Sequence, residues 1–185
     1  MELSMNWSSI SILVAPIIYF FTIYSLFGWL IENTHSYLTK GVFFKENFLL
    51  GPFKPMYGIA PVLLITFITP DTDWKMVLLI CFIVPTAVEY FSGLILDTYF
   101  HKKWWDYSRE KWNFQGHICL KFSFSWLLLS LVCVYVIHPV VEKSCQLLVQ
   151  PLVFTWPFLL FYFIVETLWA VRRHIVQKET IETLG

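Results

Sequence analysis

Five hydrophobic blocks dominate the chain: Ile10 to Ile31, Met56 to Thr69, Met76 to Leu96, Ile118 to Ile137 and Leu147 to Val171. A bilayer core takes roughly 20 apolar residues per helix, so four blocks span it comfortably and the second is short. Composition agrees: 57% of the 185 residues are apolar and only 14% are charged, against about a quarter charged in soluble domains. The chain reads as an all-α integral membrane protein, a single polytopic domain over 1–185. About five transmembrane helices are expected, at roughly 10–37, 56–69, 74–100, 117–138 and 149–173. No Lys or Arg precedes the first block, its apolar stretch is too long, and no small-residue cleavage site follows, so it reads as a retained helix rather than a signal peptide.

The formal net charge is zero, but basic residues are unevenly spread. Lys40, Lys45 and Lys54 follow the first block, Lys102, Lys103, Arg109, Lys111 and Lys121 surround the gap after the third, and Arg172, Arg173 and Lys178 follow the fifth. The other two gaps hold only Lys75 and Lys143. The positive-inside rule then puts the N-terminus outside, and the loop 101–116 and the tail 174–185 in the cytoplasm. Cys81, Cys119, Cys133 and Cys145 show no metal-ligand spacing and read as packing residues without a disulfide framework.

Prolines and caps set the expected helix bounds. Pro16 is expected near the first turn of the first helix, Asp73 as the cap of the third, the His138-Pro139 step as the end of the fourth, and Pro151 at the opening of the fifth. Pro61, Pro85 and Pro157 fall inside spans, where each removes a backbone donor and can kink the helix. At ~1.5 Å per residue, the second block covers roughly 21 Å of a ~30 Å core. The preceding NFLLGPFKP is apolar but broken by Gly51, Pro52 and Pro55. Irregular backbone at membrane depth survives only when buried in protein or lining a wet cavity. Residues 47–56 therefore read as a re-entrant segment, or else as an interfacial turn whose Lys54 snorkels to phosphate.

Four acids, Glu32, Glu89, Asp97 and Glu166, lie within the blocks or at their inner edges. Placing a charge at mid-membrane costs at least ~2.5 kcal/mol, which disfavours lipid-facing positions. Helical spacing puts each acid on a small or polar stripe: Ser25, Gly28, Glu32 and Ser36; Glu89, Gly93, Asp97 and His101; Tyr162, Glu166, Trp169 and Arg173. Together with Lys54, the four acids are candidates for a substrate, cation or proton pathway, or for structural ion pairs. Arg173 and Lys121 are further candidate partners.

The loop HKKWWDYSREKWNFQG mixes basic and aromatic residues. His101, Trp104, Trp105, Asp106, Tyr107 and Asn113, with His117 just beyond, are expected to form a cytoplasmic docking cap or an interfacial anchor. The pairs His101 with Asp106 and His117 with Asp97 match no metal motif, and neither metal nor cofactor is expected. His35, His138 and His174 are expected at helix ends, in the interface. The chain lacks GxxxxGK[ST], HExxH, GxSxG and a glycine-rich nucleotide fingerprint, so it carries no nucleotide-hydrolysis motif of its own.

The segments FGWLIE (27–32), GPFKPMYG (51–58), EYFSGLILDTYFHKKWWDYS (89–108) and NFQGHICLKFSFSW (113–126) are similar to those of a bacterial family called putative ABC-transporter type IV, often labelled ABC transporter permease; FIVETLW (163–169) extends the resemblance. The resemblance implies a multi-pass protein of the bacterial cytoplasmic membrane and a transport subunit. It carries over no catalytic residues. The leading expectation is a permease-like subunit working as a homodimer or with a cytoplasmic ATPase, with the bilayer as its surroundings and no nucleic-acid partner. Two alternatives stay open: a membrane-embedded enzyme acting on a lipid or isoprenoid, with Glu32, Glu89 or Asp97 as acid or base, and a non-catalytic scaffold or sensor.

Overall fold

The computed structural model describes the backbone of residues 7–184 and, within the helices, the side chains of residues 10–177. The elements are α1 (Trp7–Lys40), α2 (Pro55–Phe67), α3 (Trp74–Phe100), a two-stranded antiparallel hairpin of β1 (Asn113–Phe114) and β2 (Ile118–Cys119), α4 (Leu120–Val132), a π turn (Cys133–Ile137), α5 (His138–Leu147) and α6 (Val149–Leu184). The π turn joins α4 and α5 into one rod, Leu120–Leu147. The rod, α1, α3 and α6 are long and apolar enough to cross a membrane, whereas α2, with 13 residues, is a short apolar helix.

Two expected boundaries are corrected. The rod does not stop at His138-Pro139. The wider turn lets the His138 N–H reach the Cys133 carbonyl, and a π turn makes room for the proline ring where a regular turn would clash with it. Pro16 lies well inside α1, because the helix already begins at Trp7; a span tolerates the lost donor where its neighbours re-satisfy the freed carbonyl. The Asp73 cap is present, its carboxylate accepting from the Lys75 N–H at 2.9 Å. All four cysteines are buried and free.

Central α1 packs against α2, α6 and α5, and α3 packs against α2 and α4. Two glycines set the closeness of α1 and α2: a Cβ on Gly58 would fall 2.2 Å from Ser25 Oγ, and one on Gly28 would fall 2.2 Å from Tyr57 Cβ. Small residues let membrane helices approach to backbone contact. Three buried clusters follow. Ala15, Cys145, Leu152 and Trp156 join α1, α5 and α6; Tyr24, Cys133 and Val141 surround the π turn; Leu64, Val77 and Cys81 tie α2 to α3. Large side chains such as Leu13, Ile83, Leu128, Phe158 and Phe161 point outward, and only about a fifth of each spanning window is buried. Helices apolar on every side suit a lipid surround.

The segment 41–54 is irregular but ordered by many contacts. It turns at the end of α1 and runs back along that helix: the Lys45 N–H donates to Asn33 Oδ1 (2.9 Å), and the Lys54 N–H to the Ser25 carbonyl (3.1 Å). Lys40 lies 15 positions beyond Ser25 in α1, so α2 starts about 22 Å back from the end of α1 at ~1.5 Å per residue. The shortness of α2 follows from that late start.

Candidate functional site

One end of the bundle gathers the C-terminal turns of α1, the segment 41–54, the loop 101–119 and the second half of α6. Contacts across it include Lys102 with Glu46, the Arg173 guanidinium donating to the Phe48 carbonyl (2.8 Å), and the stacked rings of Phe48 and His174 (5.2 Å). The basic residues that follow α1, surround the hairpin loop and end α6 collect here, while Lys75 and Lys143 sit at the other end.

Between these elements lies a cavity of about 840 Å³. Its polar wall is a three-residue cluster. Glu32 takes Lys45 Nζ on Oε1 and Lys54 Nζ on Oε2, both at 2.5 Å. Lys54 is almost fully buried, at 8% exposure, and a buried lysine is tolerable only when its charge is paired. Its position follows from local sequence: Pro55 opens α2 and holds Lys54 in extended backbone at the helix start. The opposite wall carries Glu89, 2% exposed on α3, whose Oε1 accepts from the Tyr107 hydroxyl at 3.0 Å. The indole N–H of Trp126 faces Glu89, while that of Trp104, which lines the same cavity, is buried without a hydrogen-bond partner among the described residues. His35, Asn47, Ser92, Ser125 and Thr167 add polar groups, and aliphatic and aromatic side chains complete the lining. A smaller cavity of about 70 Å³ adjoins at Tyr57 and Trp126 and reaches the π turn at Cys133 and Ile137.

Of the five pathway candidates, Glu32, Lys54 and Glu89 line the large cavity and Asp97 and Glu166 do not. Glu166 instead accepts the Gly51 N–H at 2.6 Å, strapping the irregular segment to α6. Asp97 turns to the loop, with His117 Nε2 at 3.7 Å and Lys103 Nζ at 3.9 Å. The acids therefore divide between a cavity and two structural ties. Arg173 holds the carbonyls of Asn47 and Phe48 rather than an acid, and exposed Lys121 pairs with Glu110 at 3.4 Å. His138 and His174 do not stand at helix ends: His138 Nδ1 meets the Tyr24 hydroxyl at 2.9 Å beside the π turn, inside the rod, and His174 is buried against Phe48 and Trp104 well before the end of α6. His35 does stand exposed near the end of α1.

The loop 101–119 is an ordered cap. His101 ends α3 in left-handed backbone, and its N–H bonds the Asp97 carbonyl. Asp106 accepts from both the N–H (2.9 Å) and hydroxyl (2.5 Å) of Ser108; these bonds, the hydroxyl first, hold its carboxyl below the usual range. Asn113 Nδ2 donates to the Glu110 carbonyl at 2.8 Å, and Trp105 Nε1 to the His117 carbonyl at 2.8 Å. Gly116, at φ +75°, closes the turn; a Cβ there would lie 2.7 Å from Asp106 Oδ1. Burial, and then the nearby Glu89, raise the Tyr107 phenol far above its ordinary pKa, so it stays a donor. Among the described residues, no three His, Cys, Asp or Glu side chains gather as a metal site would require.

The sequence reading missed Lys45 as the second cation on Glu32, Tyr107 as the partner of Glu89, and Asn33, which is fully buried and bonds Lys45 N. Asn33 had a signal, as a polar residue beside Glu32 in a span. The other two depend on chain segments meeting in space.

A model of the family described as Putative ABC-transporter type IV matches residues 19–171. The chain belongs to this family. The match takes in Glu32, Lys45, Lys54, Glu89 and Tyr107, and every other polar residue of the cavity described above. Family membership and four long apolar helices make this ABC-transporter-related chain a multi-pass membrane protein. No curated protein and no solved structure matches the chain.

Proposed function

We propose that this member of the Putative ABC-transporter type IV family is the membrane-embedded, permease-like subunit of a transport system in the bacterial cytoplasmic membrane, powered by a separate cytoplasmic ATPase. The observation that carries the reading is the large cavity, where an apolar bundle holds the Glu32, Lys45 and Lys54 cluster opposite Glu89 and continues toward the π turn. Closed structural ion pairs would need no such space beside them; a substrate would. In this reading the basic end faces the cytoplasm, the N-terminus lies outside, and the segment 47–56 is re-entrant, shielded from lipid by α1 and α6. The ordered loop 101–119 is the docking surface for the ATPase.

The test is co-expression with the ATPase encoded nearest to this chain. Gentle extraction should recover the two together, and reconstituted vesicles should hydrolyse ATP faster than the ATPase alone. Lys54→Gln should lower that stimulation about tenfold, in line with loss of a charge-assisted contact. An ATPase that neither co-purifies nor responds to this chain would sink the proposal.

A further inference from the structure

The large cavity reaches the surface between α3 and α6. Ile95 and Tyr99 of α3 and Ile175 of α6 line it, yet they remain 52%, 67% and 42% exposed. They lie near the basic ends of helices long and apolar enough to span a membrane, so in the proposed orientation the gap between α3 and α6 opens at the cytoplasmic edge of the bilayer. The deep end is polar in a particular way. Two ammonium groups share one carboxylate in the Glu32 cluster, leaving one positive charge in excess. The indole N–H of Trp104 is a buried donor without an acceptor among the described residues, whereas that of Trp126 faces Glu89. A buried polar group left without a partner is costly, so it is a place where a ligand gains affinity.

We infer that the cavity takes an anionic amphiphile from the bilayer, entering between α3 and α6 with its head group toward Lys54 and its apolar tail trailing into the membrane. An oxyanion meets the excess positive charge and the indole N–H of Trp104. At about 840 Å³ the cavity lies within the roughly 300–1,000 Å³ of small-molecule sites, enough for a head group and the first part of a chain. A water-soluble anion would leave the apolar walls and the lateral opening unused. The inference rests on reading this cavity as the substrate site and adds the substrate class.

Native mass spectrometry of the purified full-length chain tests it, with phosphatidylglycerol, phosphatidylcholine and inorganic phosphate as probes. Phosphatidylglycerol should be retained about tenfold better than phosphatidylcholine, a difference of one charge-assisted contact, and inorganic phosphate should not displace it. Lys45→Gln on the irregular segment should erase that preference, and Ile95→Trp, which leaves charge unchanged, should lower retention of phosphatidylglycerol by narrowing the entrance. Lys121→Gln, outside the cavity, should change nothing. Equal retention of both lipids, displacement by phosphate, indifference to Ile95→Trp, or an equal loss in Lys121→Gln would each overturn the inference. Phosphatidylglycerol selected in this way by a chain that stimulates no ATPase leaves this inference standing and removes only the transport reading; stimulation without lipid selection does the reverse.

Discussion

At the scale of single residues, the most exacting position is Gly58. A methyl group there meets Ser25 Oγ at 2.2 Å and the Phe21 carbonyl oxygen at 2.8 Å, and backbone cannot swing aside. Gly58→Ala should therefore lower stability in detergent by about 1–3 kcal/mol, the usual cost of overpacking, seen as a lower midpoint of thermal unfolding; an unchanged midpoint would mean that α1 and α2 are not in backbone contact. The hydrogen bond from Tyr107 to Glu89 is a second single-residue test. Tyr107→Phe should cost about 1–3 kcal/mol, because it strips the buried Glu89 carboxyl of the 3.0 Å hydrogen bond from Tyr107. The same substitution in a Glu89→Met background should cost much less, and a double-mutant cycle of thermal midpoints measures the difference. That acids inside the spans face protein was readable from charge and helical spacing. That Tyr107 reaches one of them was not, since 18 residues and a turn in the chain separate the pair.

At the scale of elements, the segment 41–54 owes its order to side chains from elsewhere. Glu166 takes its Gly51 N–H, Arg173 takes its Phe48 carbonyl, and Lys45 is drawn to Glu32. Glu166→Leu should raise amide hydrogen exchange over residues 47–53 without changing exchange in α3; equal protection in the variant would show that the strap is unimportant. The hairpin loop offers a pH test. The Asp106 carboxyl is held low by Ser108 in the folded chain, so it supports the loop fully above the unfolded carboxylate pKa of about 3.9. That support is lost as pH falls through the lower folded value. Exchange at 106–108, corrected for intrinsic rates, should rise below about pH 4, and Asp106→Asn, which keeps an acceptor oxygen, should flatten the dependence. Helix existence was legible here from block length, whereas the π turn was not. Pro139 reads in sequence as a stop, and only the packing of Tyr24 and Val141 around Cys133 favours carrying the rod onward.

At the scale of the whole molecule, the polarity of the charges becomes an experiment. With the basic end in the cytoplasm, a cysteine at Lys111 should react with an impermeant maleimide only in inverted vesicles, and one at Lys143 only in intact spheroplasts, in a background lacking the four native cysteines. Both labelling from the same side would overturn the proposed orientation. Hydrophobic block length and basic-residue bias are local quantities, additive along the chain, and from them the sequence by itself determined a helical membrane protein, its long spans and the clustering of basic residues at one end. Which acid meets which cation is not local. Glu32 and Lys54 are joined because the segment 41–54 doubles back along α1, and Asp97 and Glu166 are drawn away because the loop and α6 offer them nearer partners. Tertiary structure decided that, because a buried charge settles with whichever partner the packing brings within hydrogen-bond reach, whatever its distance in sequence.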